Sequence, residues 1–255
     1  MILMNNTLRN GFRVLELLCA TGAPIGVKDV AARLRLPNSH ACRLLKSLAA
    51  TGYVEQDRGR KYRVSVRILI LSHMRLCTLE IRSRIRPFLS DLSRRLEQDV
   101  YLALNLRGEA LIVDVVHARG VARDPALEIG SINAAHATAS GKVCAAYASG
   151  TELQALLKRR PLKRFTKQTI VDMRAFKREL AKVREERVAL LNGEQSLDTC
   201  AVAVPIFDAS GALAAAVGTV LPRGTPTRGQ WQQAIAETRH AADAASRALG
   251  FTGGI

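Results

Sequence analysis

Leu36-Pro37-Asn38-Ser39-His40-Ala41-Cys42-Arg43-Leu44-Leu45-Lys46-Ser47-Leu48 decides the reading of this chain. Ala41, Leu44, Leu45 and Leu48 follow the i, i+3, i+4, i+7 spacing of a helix with one buried face. The stretch opens on a turn, where Asn38 can cap the helix by accepting from its first free N–H groups, and it stops at Gly52. Burying that face leaves Ser39, Cys42, Arg43 and Lys46 pointing away, with Asn38 and His40 near the N-terminal end. A short polar first turn followed by arginine suits a helix that reads base edges in a major groove. A guanidinium can bond two acceptors of guanine at once.

Working outward, residues 8–19 place Leu8, Phe12, Leu15, Leu18 and Cys19 at helical spacing, and Gly22-Ala23-Pro24 ends the pattern. A second short helix is expected from about Val27 to Leu34, with Val30, Ala31 and Leu34 on one face. On the other side, Tyr53 to Val64 reads as two short strands around a glycine-containing turn. Three short helices and a hairpin make a winged helix-turn-helix. The wing carries Arg58, Arg60, Lys61 and Arg63, suited to phosphates, which anchor without reading sequence. Residues 1–65 hold 11 basic and 4 acidic side chains, a net +7 out of the chain's +16. So uneven an excess attracts a polyanion to this end of the chain, and double-stranded DNA is the expected partner.

Residues 66–98 read as linking helices in which Ile81, Ile85, Phe88, Leu89, Leu92 and Leu96 form one apolar stripe, a route to self-association. Beyond them strands are expected at 99–106, 111–117, 188–191, 202–207 and 213–221. Helices are expected at 138–148, 152–157, 172–187 and 227–249. This mixture implies an α+β domain around one sheet. The expected division is a winged helix-turn-helix domain over 1–65, a linker helix over 66–82, and an effector-binding and oligomerisation domain over 83–255. The composition, 48% hydrophobic and 24% charged, supplies a core and excludes a disordered chain. Five cysteines without a C-x-x-C pair imply reduced thiols and a cytoplasmic protein. The first apolar run is only Met1 to Met4, and Arg13 and Glu16 interrupt the next candidate, so no leader is read. Ala212 to Leu221, the longest later apolar run, has about half of the roughly 20 residues that cross a bilayer, so no membrane partner is expected.

The sequence also resembles the IclR family of bacterial transcriptional regulators over residues 7–251. The motifs that carry the resemblance are Leu36 to Leu45, Leu48 through Gly52-Tyr53-Val54, and His136-Ala137-Thr138-Ala139-Ser140-Gly141-Lys142. Arg164-Phe165-Thr166 with Thr169-Ile170, and Ala203-Val204-Pro205-Ile206-Phe207-Asp208, complete the set. The resemblance implies a homodimer or homotetramer, a GAF-like sensor domain, and a small organic effector, often a carboxylic or aromatic acid. The chain departs from the family pattern at three places. It has Asp198 and Ala201 where glycine and cysteine are usual, with Cys200 one place early. Gly218-Thr219-Val220 replaces a serine-bearing strand, and Leu191-Asn192 replaces an acidic pair.

Thr138 to Gly141 has a physical logic of its own. Thr138 is a good N-cap, and the small residues Ala139, Ser140 and Gly141 would let an anion approach free N–H groups at the positive end of a helix. The competing reading is that Thr138 only caps and the small residues only pack. The expected effector set is Thr138, Ala139, Ser140 and Gly141 for a carboxylate, with His136, Glu194, Asp198, Cys200 and Thr219 setting specificity. Asp198 would ask the ligand for a hydroxyl or amine beside its acid.

Three rivals stand beside this reading. His136, Cys144, Glu194 and Cys200 are a soft-ligand set for zinc, but no pair has a metal-ligand spacing, so no metal or other cofactor is expected. Cys144 or Cys200 with His136 or His117 could make a nucleophile and base, but no catalytic motif accompanies them and no enzyme is expected. An architectural, ligand-independent nucleic-acid binder would need no pocket. Residues 158–187 hold 12 basic and 4 acidic side chains, read as a solvated surface.

Overall fold

Asn5 starts the first helix by accepting from the N–H groups of Thr7 and Leu8 at 3.0 and 3.1 Å, and Gly22, at a φ of 67°, ends it. In this computed structural model, which describes residues 5–120, 127–222 and 224–253, the chain forms two units, Met1–Thr78 and Leu79–Ile255. The first holds α1 (Asn6–Thr21), α2 (Val27–Leu34), α3 (Asn38–Ala50), and the antiparallel β1 (Val54–Gln56) and β2 (Tyr62–Val64). Val14, Leu18, Val30, Ala31, Leu44 and Leu45 meet Val54 and Tyr62 in one core. Leu8, Phe12 and Cys19 of the expected α1 stripe are exposed, and Val14 takes the buried place. Pro37, not Asn38, caps α3. The Pro37 carbonyl accepts from both His40 and Ala41 at 3.0 Å, which closes the first turn and draws Asn38 into the helix. The unit ends in α4 (Ile68–Cys77), where no residue is buried.

The second unit opens with α5 (Glu80–Leu96) and is built on a six-stranded antiparallel sheet ordered β5-β4-β3-β8-β7-β6. Its strands are β3 (Val100–Leu106), β4 (Glu109–Val116), β5 (Ile132–Asn133), β6 (Ala189–Asn192), β7 (Cys200–Phe207) and β8 (Leu213–Val220). Its other helices are α6 (Ala139–Tyr147), α7 (Gly150–Arg159), α8 (Met173–Glu186) and α9 (Arg228–Ala248). β5, absent from the sequence reading, is two residues long and shows no alternation to read.

The alternation of β7 sorts the two faces. Cys200, Val202, Val204 and Ile206 pack with α5 and α9, whereas Ala201 and Ala203 pack with α6 and α8. The apolar stripe of α5 is consumed here. Ile85, Leu89 and Leu92 are buried in this core, and Ile81, Phe88 and Leu96 pack against it, so the expected route to pairing through this stripe is closed. The observed class is α+β, with an N-terminal winged helix-turn-helix.

Candidate DNA-reading face and effector pocket

On α3, Asn38, Ser39, Arg43 and Lys46 are exposed and Cys42 is half-buried. His40 is half-buried as well, its Nε2 3.4 Å from the Asn10 amide and its Nδ1 3.1 Å from the Arg43 guanidinium. Arginine can only donate, so Nδ1 accepts from it. His40 thus holds the Arg43 guanidinium by a hydrogen bond. In the wing, Arg58, Arg60 and Lys61 are exposed around a turn closed by Asp57, whose carboxylate accepts from the Lys61 N–H at 2.8 Å. Arg63 differs, because both Nε and a terminal amine bond Glu55 at 3.1 and 3.0 Å. The Ser65 hydroxyl and then Arg63 hold the Glu55 carboxyl below its ordinary range. Arg63 is already matched to a carboxylate, whereas Arg58, Arg60 and Lys61 are exposed.

The start of α6 is built by close approach. Thr138 Oγ1 accepts from the Gly141 N–H at 3.1 Å and donates to the Ala134 carbonyl at 2.9 Å. A Cβ on Gly141 would collide with that carbonyl, so only glycine fits. With the Gly141 N–H spent on Thr138, the first-turn amides without a helical partner are those of Ala139 and Ser140. Ser140 is fully buried and its Oγ has no hydrogen-bond partner. Four residues on, and so on the same helix face, Cys144 packs with Tyr101, Ala103, Ile112 and Leu127. Ser140 therefore shares the face of α6 turned to the sheet, where the Tyr101 ring occupies the space over Gly218 that a Cβ would fill. Tyr101 and Gly218 were missed in the sequence. A glycine inside the strand 213–221 was the available signal, since it marks a close approach to the backbone.

The rest of the expected effector set is dispersed. Glu194 is bound to Lys142, whose buried Nζ lies 2.6 Å from Glu194, 3.1 Å from Glu179 and 2.8 Å from the Leu190 carbonyl. Asp198 is exposed and accepts from the Ser196 hydroxyl at 2.5 Å. Cys200 and Thr219 lie on the opposite face of the sheet from α6. Thr219 pairs with Val100 and Val202, both in the core under α5 and α9, and Cys200 belongs to that same core. A strand turns each successive side chain to the other face, so a cysteine one place early points away from α6. His136 is buried, with Nε2 2.8 Å from the Lys163 carbonyl and its ring stacked on Phe165.

The rival constellations are not assembled either. Burial pushes the Cys144 thiol up to about 12, which keeps it protonated, and His117 is paired with Asp99 at 3.2 Å. Among the described residues no group of three or more His, Cys, Asp or Glu could hold a metal ion, and no helix is long and apolar enough to cross a membrane.

A helix-turn-helix with an exposed basic wing, followed in the chain by an α+β unit, defines a DNA-binding transcriptional regulator. Residues 7–58 match the IclR helix-turn-helix domain and residues 73–247 match the bacterial transcriptional regulator IclR C-terminal family, so the chain belongs to the IclR family. It is 27% identical to the HTH-type transcriptional regulator XynR of Escherichia coli K12, over 96% of this chain and 97% of that protein. It is 30% identical to the glycerol operon regulatory protein of Streptomyces coelicolor, over 96% of each. An IclR homolog of Microbacterium hydrocarbonoxydans, in complex with 4-hydroxybenzoate, shares the fold with a TM-score of 0.75 at 23% identity, over 96% of this chain and 99% of that one.

Proposed function

We propose that this regulator binds a specific operator through α3 and changes its affinity when a small organic acid binds at the start of α6. In this reading residues 1–65 read DNA, 66–82 link, and 83–255 sense the effector, in the cytoplasm. Arg43 and Lys46 reach base edges with Asn38 and Ser39, while Arg58, Arg60 and Lys61 grip phosphates. The active form is a homodimer or a homotetramer. Its pairing is supported by α4 and α1, where Leu69, Ile70, Met74, Leu8 and Phe12 are all exposed. Apolar side chains exposed in this number are costly in water and support an association surface.

DNA reading is tested by fluorescence anisotropy on operator and scrambled duplexes. Arg43→Ala is expected to cost about 1–3 kcal/mol on the operator and to relax base preference. Lys61→Ala should weaken binding to both duplexes and flatten the salt dependence by roughly 0.9 in slope. Arg63→Ala should do less than Lys61→Ala, because Glu55 already holds it. An operator affinity and base preference unchanged in Arg43→Ala would remove this docking.

The effector reading is carried by the Ser140 hydroxyl, buried without a partner. Such a group costs about 1–3 kcal/mol unless something bonds it, and a ligand oxygen at the Ala139 and Ser140 amides would. The Microbacterium homolog's 4-hydroxybenzoate is itself a small organic acid, which supports this reading. Ser140→Ala is expected to raise stability by about 1 kcal/mol and to weaken the DNA response to effector. Ser140→Leu should abolish the response while effector-free DNA binding persists. A thermal-shift screen of small organic acids supplies the ligand, and an unaltered response in both variants would place the pocket elsewhere.

A further inference from the structure

Between the end of α7, the segment 160–165 and the β4–β5 edge of the sheet lies a cavity of about 450 Å³, within the roughly 300–1,000 Å³ of small-molecule sites. Its apolar wall is Ile132, Ala135, Leu156, Leu157 and Leu162, and the stacked rings of His136 and Phe165, 5.8 Å apart, line it as well. The charged lining is Arg159, Arg160, Lys163 and a single carboxylate, Glu109. Glu109 is buried and meets Arg159 at 3.2 Å and Arg160 at 3.4 Å. The Arg160 contact runs through Nε, which leaves both terminal amines of a 63% exposed side chain for another acceptor. Lys163 Nζ lies 5.7 Å from the Phe165 ring centre. Three cations against one carboxylate leave a positive excess beside flat and branched apolar surface. Part of the basic run 158–187, read from sequence as a solvated face, therefore lines a pocket.

We propose that this cavity is a second small-molecule site, for an organic carboxylate with a flat apolar body. The carboxylate accepts from the two terminal amines of Arg160, the planar geometry in which guanidinium and carboxylate match best, with Lys163 adding charge. The flat body lies along Phe165 and His136 against the leucines. Thr138 to Gly141 do not line it, so this site stands or falls independently of the one proposed at the start of α6.

The test is isothermal titration calorimetry of the full chain with benzoate and its uncharged isostere benzamide. Ser140→Leu should keep a benzoate site. Arg160→Gln, at an exposed position, should reduce the preference for benzoate over benzamide by roughly tenfold, the loss of one charge-assisted pair. Leu157→Trp, which fills the cavity, should remove binding of both probes at an unchanged unfolding midpoint. The proposal is overturned by any of three results: no saturable benzoate binding in the millimolar range, loss of all benzoate binding in Ser140→Leu, or an unchanged preference in Arg160→Gln.

Discussion

Replacing Lys142 with methionine is expected to cost about 3–5 kcal/mol of stability and to lower the unfolding midpoint of the second unit on the order of 10 °C. The Lys142 side chain is only 2% exposed, and its three ammonium donors are spent on Glu179, Glu194 and the Leu190 carbonyl. These partners tie α6 to α8, to β6 and to the segment after it. Thr166 and Thr169 fasten that segment from the other side, donating to the carbonyls of Gly193 and Glu194 at 2.6 and 2.7 Å. Methionine fills most of the lysine's volume, so the loss is electrostatic rather than a cavity. Glu179 can turn toward water, while Glu194, at 12% side-chain exposure, loses its ammonium partner and keeps the Asn192 N–H at 3.1 Å. The double variant Lys142→Met/Glu194→Gln should recover part of the loss, since it removes the stranded charge. Chemical denaturation of the three proteins measures this. A single variant within 1 kcal/mol of wild type, on the order of what an exposed ion pair contributes, would show that the network does not hold these elements together.

What the sequence disclosed and what it hid divide along one physical line. Periodicity and punctuation are local, so α2 was legible end to end from Val27 to Leu34, between Gly26 and the turn at Pro37. Thr138 was legible as a cap for the same reason, because a hydroxyl three residues before a free N–H needs no tertiary partner. Facing is not local. The alternation of 213–221 says that Gly218 and Thr219 point opposite ways, but not which of them meets α6. Thr219 stands in the expected effector set, yet the glycine under the Tyr101 ring is the residue that meets α6. The apolar stripe of α5 carried the same ambiguity, since a core face and a pairing face have one spacing. The role of Lys142 was hidden by its type, because lysine is almost never fully buried unless paired, and its two carboxylates lie 37 and 52 residues away.

The substitution pair Ile70→Glu/Met74→Lys is expected to turn the protein into a monomer and to weaken operator binding by roughly a thousandfold or more. Ile70 and Met74 are 58% and 60% exposed, four residues apart on one face of a helix that buries nothing in its own chain. If two copies cover these faces against each other, two α3 helices are held on one side of the DNA, about 34–36 Å apart or a multiple of that. One module alone contributes about half of the binding free energy. For an operator held at roughly 10 nM, half of that energy corresponds to about 0.1 mM. A glutamate followed four residues later by a lysine supports an isolated helix, so α4 should persist while its apolar face is lost. Sedimentation at micromolar concentration reads the assembly, and anisotropy reads the operator. The α3 surface is untouched, so binding to an isolated half-site should stay within about twofold of wild type, which separates lost pairing from lost folding. A variant that still sediments as a dimer and still grips the full operator would move the pairing surface away from α4. A wild-type protein that is already monomeric would remove the pairing requirement altogether.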